Sequence, residues 1–193
     1  MRTLILGIGN ILWADEGFGV RAVEEFHARY ETGADVTVLD GGTQGLYLVQ
    51  FVEACDQLLV FDAIDYGLEP GTLRIVRDGE VPRFMGAKKM SLHQTGFQEV
   101  LSAADLLGRY PSRLALIGCQ PQDLENWGGP LTAPVAAAVE PALAAAVDTL
   151  VEWGVELRPR AASAETFPRL LAHDLDHDAY ERRLRGAEEE TRP

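Results

Sequence analysis

Cysteine is scarce in this chain, occurring only at Cys55 and Cys119 among 193 residues. Neither has C-x-x-C or zinc-knuckle neighbours, which excludes a disulfide framework and a closed thiolate zinc site. Both thiols are expected to be reduced and packed in a core. Basic residues are also in short supply, with 17 Lys and Arg against 30 Asp and Glu and a net charge of −13. That balance repels phosphate backbones, so nucleic acid is not an expected partner. No segment reads as long enough to span a membrane. The N-terminal apolar run is cut by Gly7, Gly9 and Asn10 and closed by Asp15 and Glu16, so it is not a signal peptide. The expectation is a cytoplasmic protein with no membrane insertion. Ser-His-Asp and Cys-His patterns are missing, which argues against covalent catalysis. No internal repeat occurs.

What is present is an ordinary globular composition, 47% hydrophobic and 24% charged, in a length suited to one domain with a proper core. The chain is organised around Thr3 to Val20, TLILGIGNILWADEGFGV. A short buried strand runs into Gly7 and Gly9. The carboxylates of Asp15 and Glu16 follow, directly before a helical pattern through Val20, Val23, Phe26 and Tyr30. A strand, a glycine turn, a loop and a helix form the opening βα unit of an open α/β sheet, whose ligand crevice lies at the carboxyl ends of its strands. The pattern argues against dinucleotide binding, because the sixth position of GIGNIL is Leu12 where the phosphate fingerprint needs glycine.

The remaining elements alternate. Asp35 to Leu39 reads as a second strand ending on Asp40-Gly41-Gly42, and Leu46 to Ala54 carries a helical face. Gln57 to Phe61 is a third strand ending on Asp62. This β-α-β-α-β order predicts parallel strands with right-handed crossovers. Thr72 to Arg77 follows too closely for a helical crossover, so this fourth strand is predicted antiparallel and at an edge. Phe97, Val100, Leu101 and Ala104 recur at i, i+3, i+4 and i+7, the core face of a helix entered through Ser91-Leu92-His93-Gln94. Ser112 to Ile117 is a fifth strand, and Pro134 to Trp153 an alanine-rich helix that Pro141 kinks or restarts. From Val155 the composition shifts to Ala, Arg, Asp and Glu. Residues 1–154 thus read as the domain and 155–193 as a peripheral helix or partly disordered tail.

Acids therefore stand after each of the first three strands: Glu16 with Asp15, then Asp40, then Asp62, while His93 opens the third major helix. Each acid alone is explained as a helix-dipole partner or turn former. Together they repel one another unless a cation joins them. Two carboxylates and an imidazole suit nickel, zinc, iron or manganese better than calcium. Spacing leaves both the cap reading and the metal reading open. His27, in mid-helix, and His173 and His177, in the tail, read as solvated or structural.

The blocks LGIGNILWADEGFGVRAVE, LDGGTQGLYL, VFDAID, MSLHQTGFQEVL and IGCQP with NWGG occur in this order between residues 2 and 153. They resemble the maturation endopeptidases of nickel-iron hydrogenases, most closely the branch serving uptake hydrogenases. The resemblance implies a three-layer α/β/α sandwich around a mixed five-stranded sheet, order 2-1-3-5-4 with strand 4 antiparallel. It implies an endopeptidase that removes a C-terminal extension from the hydrogenase large-subunit precursor after nickel insertion. A monomer is the expectation for the chain itself. Glu16, Asp62 and His93 are then the metal-contacting residues, and Asp40 matches a position tied to substrate or activity. Nickel is expected to arrive with the precursor rather than to reside in the protease. Nickel or a carboxylate could activate the attacking water. Two other readings share these residues: a nickel-checkpoint chaperone that docks without cutting, and a self-contained metallohydrolase.

Overall fold

The computed structural model describes residues 1–81, 92–160 and Leu170, with backbone alone for residues 92–95. In chain order the elements that carry the argument are β1 (Thr3–Ile8), α1 (Phe18–Arg29), β2 (Tyr30–Thr32), β3 (Val36–Gly42), α2 (Val49–Val52), β4 (Gln57–Ala63), β5 (Leu73–Arg77), α3 (Leu92–Leu106), β6 (Arg113–Cys119), α4 (Ala133–Glu152) and β7 (Leu157–Pro159). Single turns of 3-10 helix at Ala14–Gly17 and Gly45–Leu48 precede α1 and α2.

Five of these strands form one sheet in the order β3-β1-β4-β6-β5. Four run parallel, and β5 runs antiparallel to β6. In strand numbers of the sheet alone this is 2-1-3-5-4, the order and polarity expected above. β1, β4 and β6 are apolar on both faces because helices cover both sides, as parallel sheets require. One face carries Leu4, Leu6, Leu58, Val60, Leu114 and Leu116 against Phe97, Val100 and Leu101 of α3. The other carries Ile5, Leu59, Phe61 and Ile117 against α1 and α4. Phe18 and Phe26 of α1 are fully buried there, each contributing roughly 1.5–3 kcal/mol.

Three readings are corrected. The first helix stops at Arg29, because Tyr30 is extended (φ −124°, ψ 137°) and opens β2. β2 pairs antiparallel with β7, from the segment set apart as a tail. Two three-residue strands with little alternation carry no local signal, and only their pairing at opposite ends of the domain creates them. The rest of the peripheral helix or tail read over 155–193, from residue 161 on and Leu170 excepted, lies outside the described residues, as do His173 and His177. Second, α4 does not restart at Pro141 but is continuous through it, the proline removing one N–H from the ladder without ending the helix. Third, α4 is long and apolar enough to cross a membrane, with 20 residues and mean hydropathy 1.5. Its alanines raise that value, while Val135, Ala138, Ala142, Leu143, Ala146 and Leu150 face the sheet in the core.

Candidate active site

Glycine decides how closely α1 approaches the strand ends. A Cβ on Gly7 would collide with the Gly19 carbonyl and Val23. One on Gly9 would strike the Glu16 carbonyl, and one on Gly19 would strike the carbonyls of Ile8 and Phe61. The first turn of α1 therefore sits directly on β1 and β4, and the Ala14–Gly17 turn carrying Glu16 packs against the end of β4. Asp62 belongs to that end, in register with Gly118 of β6, and is completely buried. It follows Leu58 and Val60 in the alternation of β4, so it faces the layer of α3. His93 is the second residue of α3. Its side chain lies outside the described residues.

Tyr66 lines the Asp62 end of the sheet. Gly118 leaves room for its ring, since a Cβ there would collide with the phenol oxygen. Burial, and after it the charge of Asp62, push the Tyr66 hydroxyl above its usual range. The Arg74 guanidinium lies 5.7 Å from the ring centroid, within cation–π range. Gln120 braces the loop beyond β4: its Oε1 accepts from Tyr66 N at 2.6 Å and Leu68 N at 3.1 Å, and its Nε2 donates to Asp65 Oδ1 at 3.0 Å.

The two adjacent acids of the first loop have different jobs. Glu16 is half-buried on the crest. Asp15 is completely buried, and its carboxylate accepts four hydrogen bonds: Gln122 N (2.8 Å), Asp123 N (2.9 Å), Thr132 N (2.7 Å) and Thr132 Oγ1 (2.9 Å). Its oxygens are engaged in joining the first loop to the loop before α4, so it is a structural anchor.

Asp40 stands on the opposite face from Asp62. It continues the alternation of Val36 and Val38, which pack toward α1. Its Oδ1 accepts from Gly42 N at 2.8 Å. Burial raises its carboxyl above the usual range, opposed by that hydrogen bond and by the charge of Arg21. Arg21 is nearly buried on α1 and pairs with Glu24 at 3.0 Å. Sequence reading passed over it. The available signal was a guanidinium between Val20 and Val23, within an otherwise apolar stripe.

The structure thus gathers Glu16 and Asp62 at neighbouring strand ends and sets Asp40 apart. Among the described residues, no three His, Cys, Asp or Glu side chains converge as a metal cage; the set with His93 reaches beyond them. The two thiols are no nucleophiles in this state. Cys55 and Cys119 are buried, and burial pushes both up to about 12. What remains is carboxylate chemistry: oxygen donors for a cation carried in from outside, or a base for water.

Residues 20–149 match the family model for the HycI hydrogenase maturation protease. The chain is 68% identical over 182 residues to the hydrogenase expression/formation protein HupD of Bradyrhizobium diazoefficiens, spanning 94% of this chain and 95% of that one. It is 67% identical over 186 residues to HupD of Rhizobium leguminosarum bv. viciae, spanning 96% and 92%. Among solved structures it is similar to the hydrogenase maturating endopeptidase HybD from Escherichia coli, with a TM-score of 0.79, 44% identity, and coverage of 84% of this chain and 100% of that chain.

Proposed function

The chain belongs to the hydrogenase maturation protease family, and we propose that it removes the C-terminal extension of a nickel-iron hydrogenase large-subunit precursor once nickel is in place. The observation that carries this reading is the packing of the Ala14–Gly17 turn, which bears Glu16, against β4, whose carboxyl end bears the buried Asp62. Glu16 comes from the loop after β1 and Asp62 from the end of β4, while His93 lies in the first turn of α3, the helix on the face toward which Asp62 points. In this reading nickel is part of the substrate. Glu16, Asp62 and His93 contact it only when a loaded precursor docks, so an unloaded precursor is not cut.

Nickel held against the scissile segment would polarise the carbonyl or lower the pKa of a bound water. A crest carboxylate would serve as general base toward that water. Asp40, on the other face, would act on the precursor's approach rather than on the ion. The reaction is assigned to a monomer in the cytoplasm.

The test is the mass of the cognate precursor after incubation with this protein, with and without nickel. Loss of a C-terminal peptide from the loaded form alone is the expected outcome. Binding without mass loss would instead give a non-cleaving chaperone. Cleavage of unrelated peptides, with a tightly held metal in the purified protein, would give a self-contained metallohydrolase.

A further inference from the structure

Two tryptophans meet at the crest. Trp13, on the loop after β1, and Trp127, on the loop before α4, form an isolated antiparallel β-bridge. Their rings stand edge to face, with centroids 4.9 Å apart and planes at 83°. Gly128 N donates to the Leu12 carbonyl at 2.8 Å, closing the join. Yet Trp127 is 63% exposed, with Leu12 and Leu124 exposed at 36% and 38%. An indole pinned in place while most of it faces water is how contact residues are built: rigid, aromatic and low in ordering cost.

The surrounding backbone is arranged to hold this pair. Ala14 sits at φ +38°, a left-handed conformation that is uncommon outside glycine. Such strain persists only where neighbouring contacts enforce it, and it clusters at functional sites. Here the enforcing contacts are the four hydrogen bonds to Asp15, which tie the Trp13 loop to the Trp127 loop. Asp123 Oδ1 stiffens the second loop by accepting from Glu125 N (2.8 Å) and Asn126 N (3.1 Å). The ledge is continuous with the acids, since Glu16 N donates to the Trp13 carbonyl at 2.9 Å.

The geometry points to Trp127, backed by Trp13, as a specificity-determining contact that takes an apolar side chain of the precursor beside the scissile bond. This rests on the proteolytic reading above. The two loops that carry the ledge also carry Glu16, Asp123 and Glu125. An acidic segment is therefore disfavoured, and the indoles offer the apolar footing on which an extended chain can be held in register.

The experiment uses the full-length protein and the nickel-loaded precursor, comparing wild type, Trp127→Ala and Trp127→Phe. Trp127 is exposed, so circular dichroism and Tm are expected to be unchanged. For Trp127→Ala we expect KM for the precursor to rise about tenfold, as for a truncated aromatic anchor, with kcat within about twofold. Trp127→Phe should recover most of the loss. Precursor binding is measured separately on a Glu16→Gln background, so the ledge is tested even without cleavage. Unchanged KM and unchanged binding in Trp127→Ala would overturn the ledge while leaving proteolysis intact. A wild-type dimer that Trp127→Ala dissociates in sedimentation would also overturn it, since a second copy would then be the occupant. A wild type that neither binds nor cuts the precursor would remove both readings.

Discussion

The two ends of the sheet carry buried polar groups at matching strand positions and use them in opposite ways. At the amino end, Thr3 Oγ1 donates to Gln57 Oε1 at 2.9 Å, and Gln57 Nε2 donates to the Trp153 carbonyl at 3.3 Å. Asp56 there accepts from Arg2 N at 2.7 Å, and its carbonyl accepts from Ser112. These groups are neutral or solvent-facing and are spent on neighbouring chain. At the carboxyl end the polar groups include acids, and two of them, Asp15 and Asp62, are wholly buried. A buried carboxylate costs several kcal/mol unless strongly compensated. The fold thus puts buried acids at the carboxyl end, while the buried polar side chains of the amino end, Thr3 and Gln57, are neutral. The division recurs within a single turn: Asp15 is consumed by four donors, and Glu16 beside it stays at the surface.

The sharpest way to break this comparison is to neutralise those neighbours one at a time. Glu16→Gln is expected to lose processing by about 1000-fold or more, the equivalent of roughly 4 kcal/mol of transition-state stabilisation, with Tm nearly unchanged. Asp15→Asn places an amide NH2 among N–H and O–H donors. It is expected to cost about 3 kcal/mol of stability, because hydrogen bonds to a buried charge are lost. Chemical denaturation and a precursor-cleavage assay on both proteins check the crossing of effects. If Glu16→Gln unfolds the protein and Asp15→Asn does not, the division of labour is reversed.

A smaller effect is expected at the amino end. Gln57→Ala should lower stability by about 2 kcal/mol, by stranding Thr3 and the Trp153 carbonyl, and leave kcat and KM for the precursor alone. A fall in kcat at equal folded fraction would show that the two ends are coupled. The smallest effect concerns Asp40. Its carboxyl is raised from 3.8 by burial, so the folded state keeps that proton to a higher pH than the unfolded chain does. Ionised Asp40 therefore costs stability, and the cost grows as pH rises from 3.8 through the raised folded value. Asp40→Asn keeps an acceptor for Gly42 N. It should gain about 1 °C in Tm at pH 7, with the gain vanishing as pH falls toward 3.8. Thermal melts across that range would show it; a gain that grows toward low pH has the wrong sign.

Much of this was legible from the order of residues. The βα alternation and the short approach to β5 predicted parallel strands with one antiparallel edge strand, because crossover length leaves few alternatives; the strand order itself was what the resemblance implied. Phe97, Val100, Leu101 and Ala104 were readable as a core face and are all buried. The acids after β1, β3 and β4 were readable as a crest. Their partition was not: that Asp62 and Asp40 point to opposite faces depends on the register of each strand. That Asp15 is an anchor depends on Gln122, Asp123 and Thr132, more than a hundred residues away in sequence. Likewise β2 and β7 exist only as a pair.

By itself the sequence determined the strands of the main sheet, the helices that cover it and which strand ends bear carboxylates, since periodicity, glycine and short connections act locally. Only the tertiary structure decided which carboxylate is consumed and which faces outward, how Trp13 meets Trp127, and where Arg21 lies. Those outcomes depend on which distant backbone donors and rings arrive at the crest, and that is set by packing.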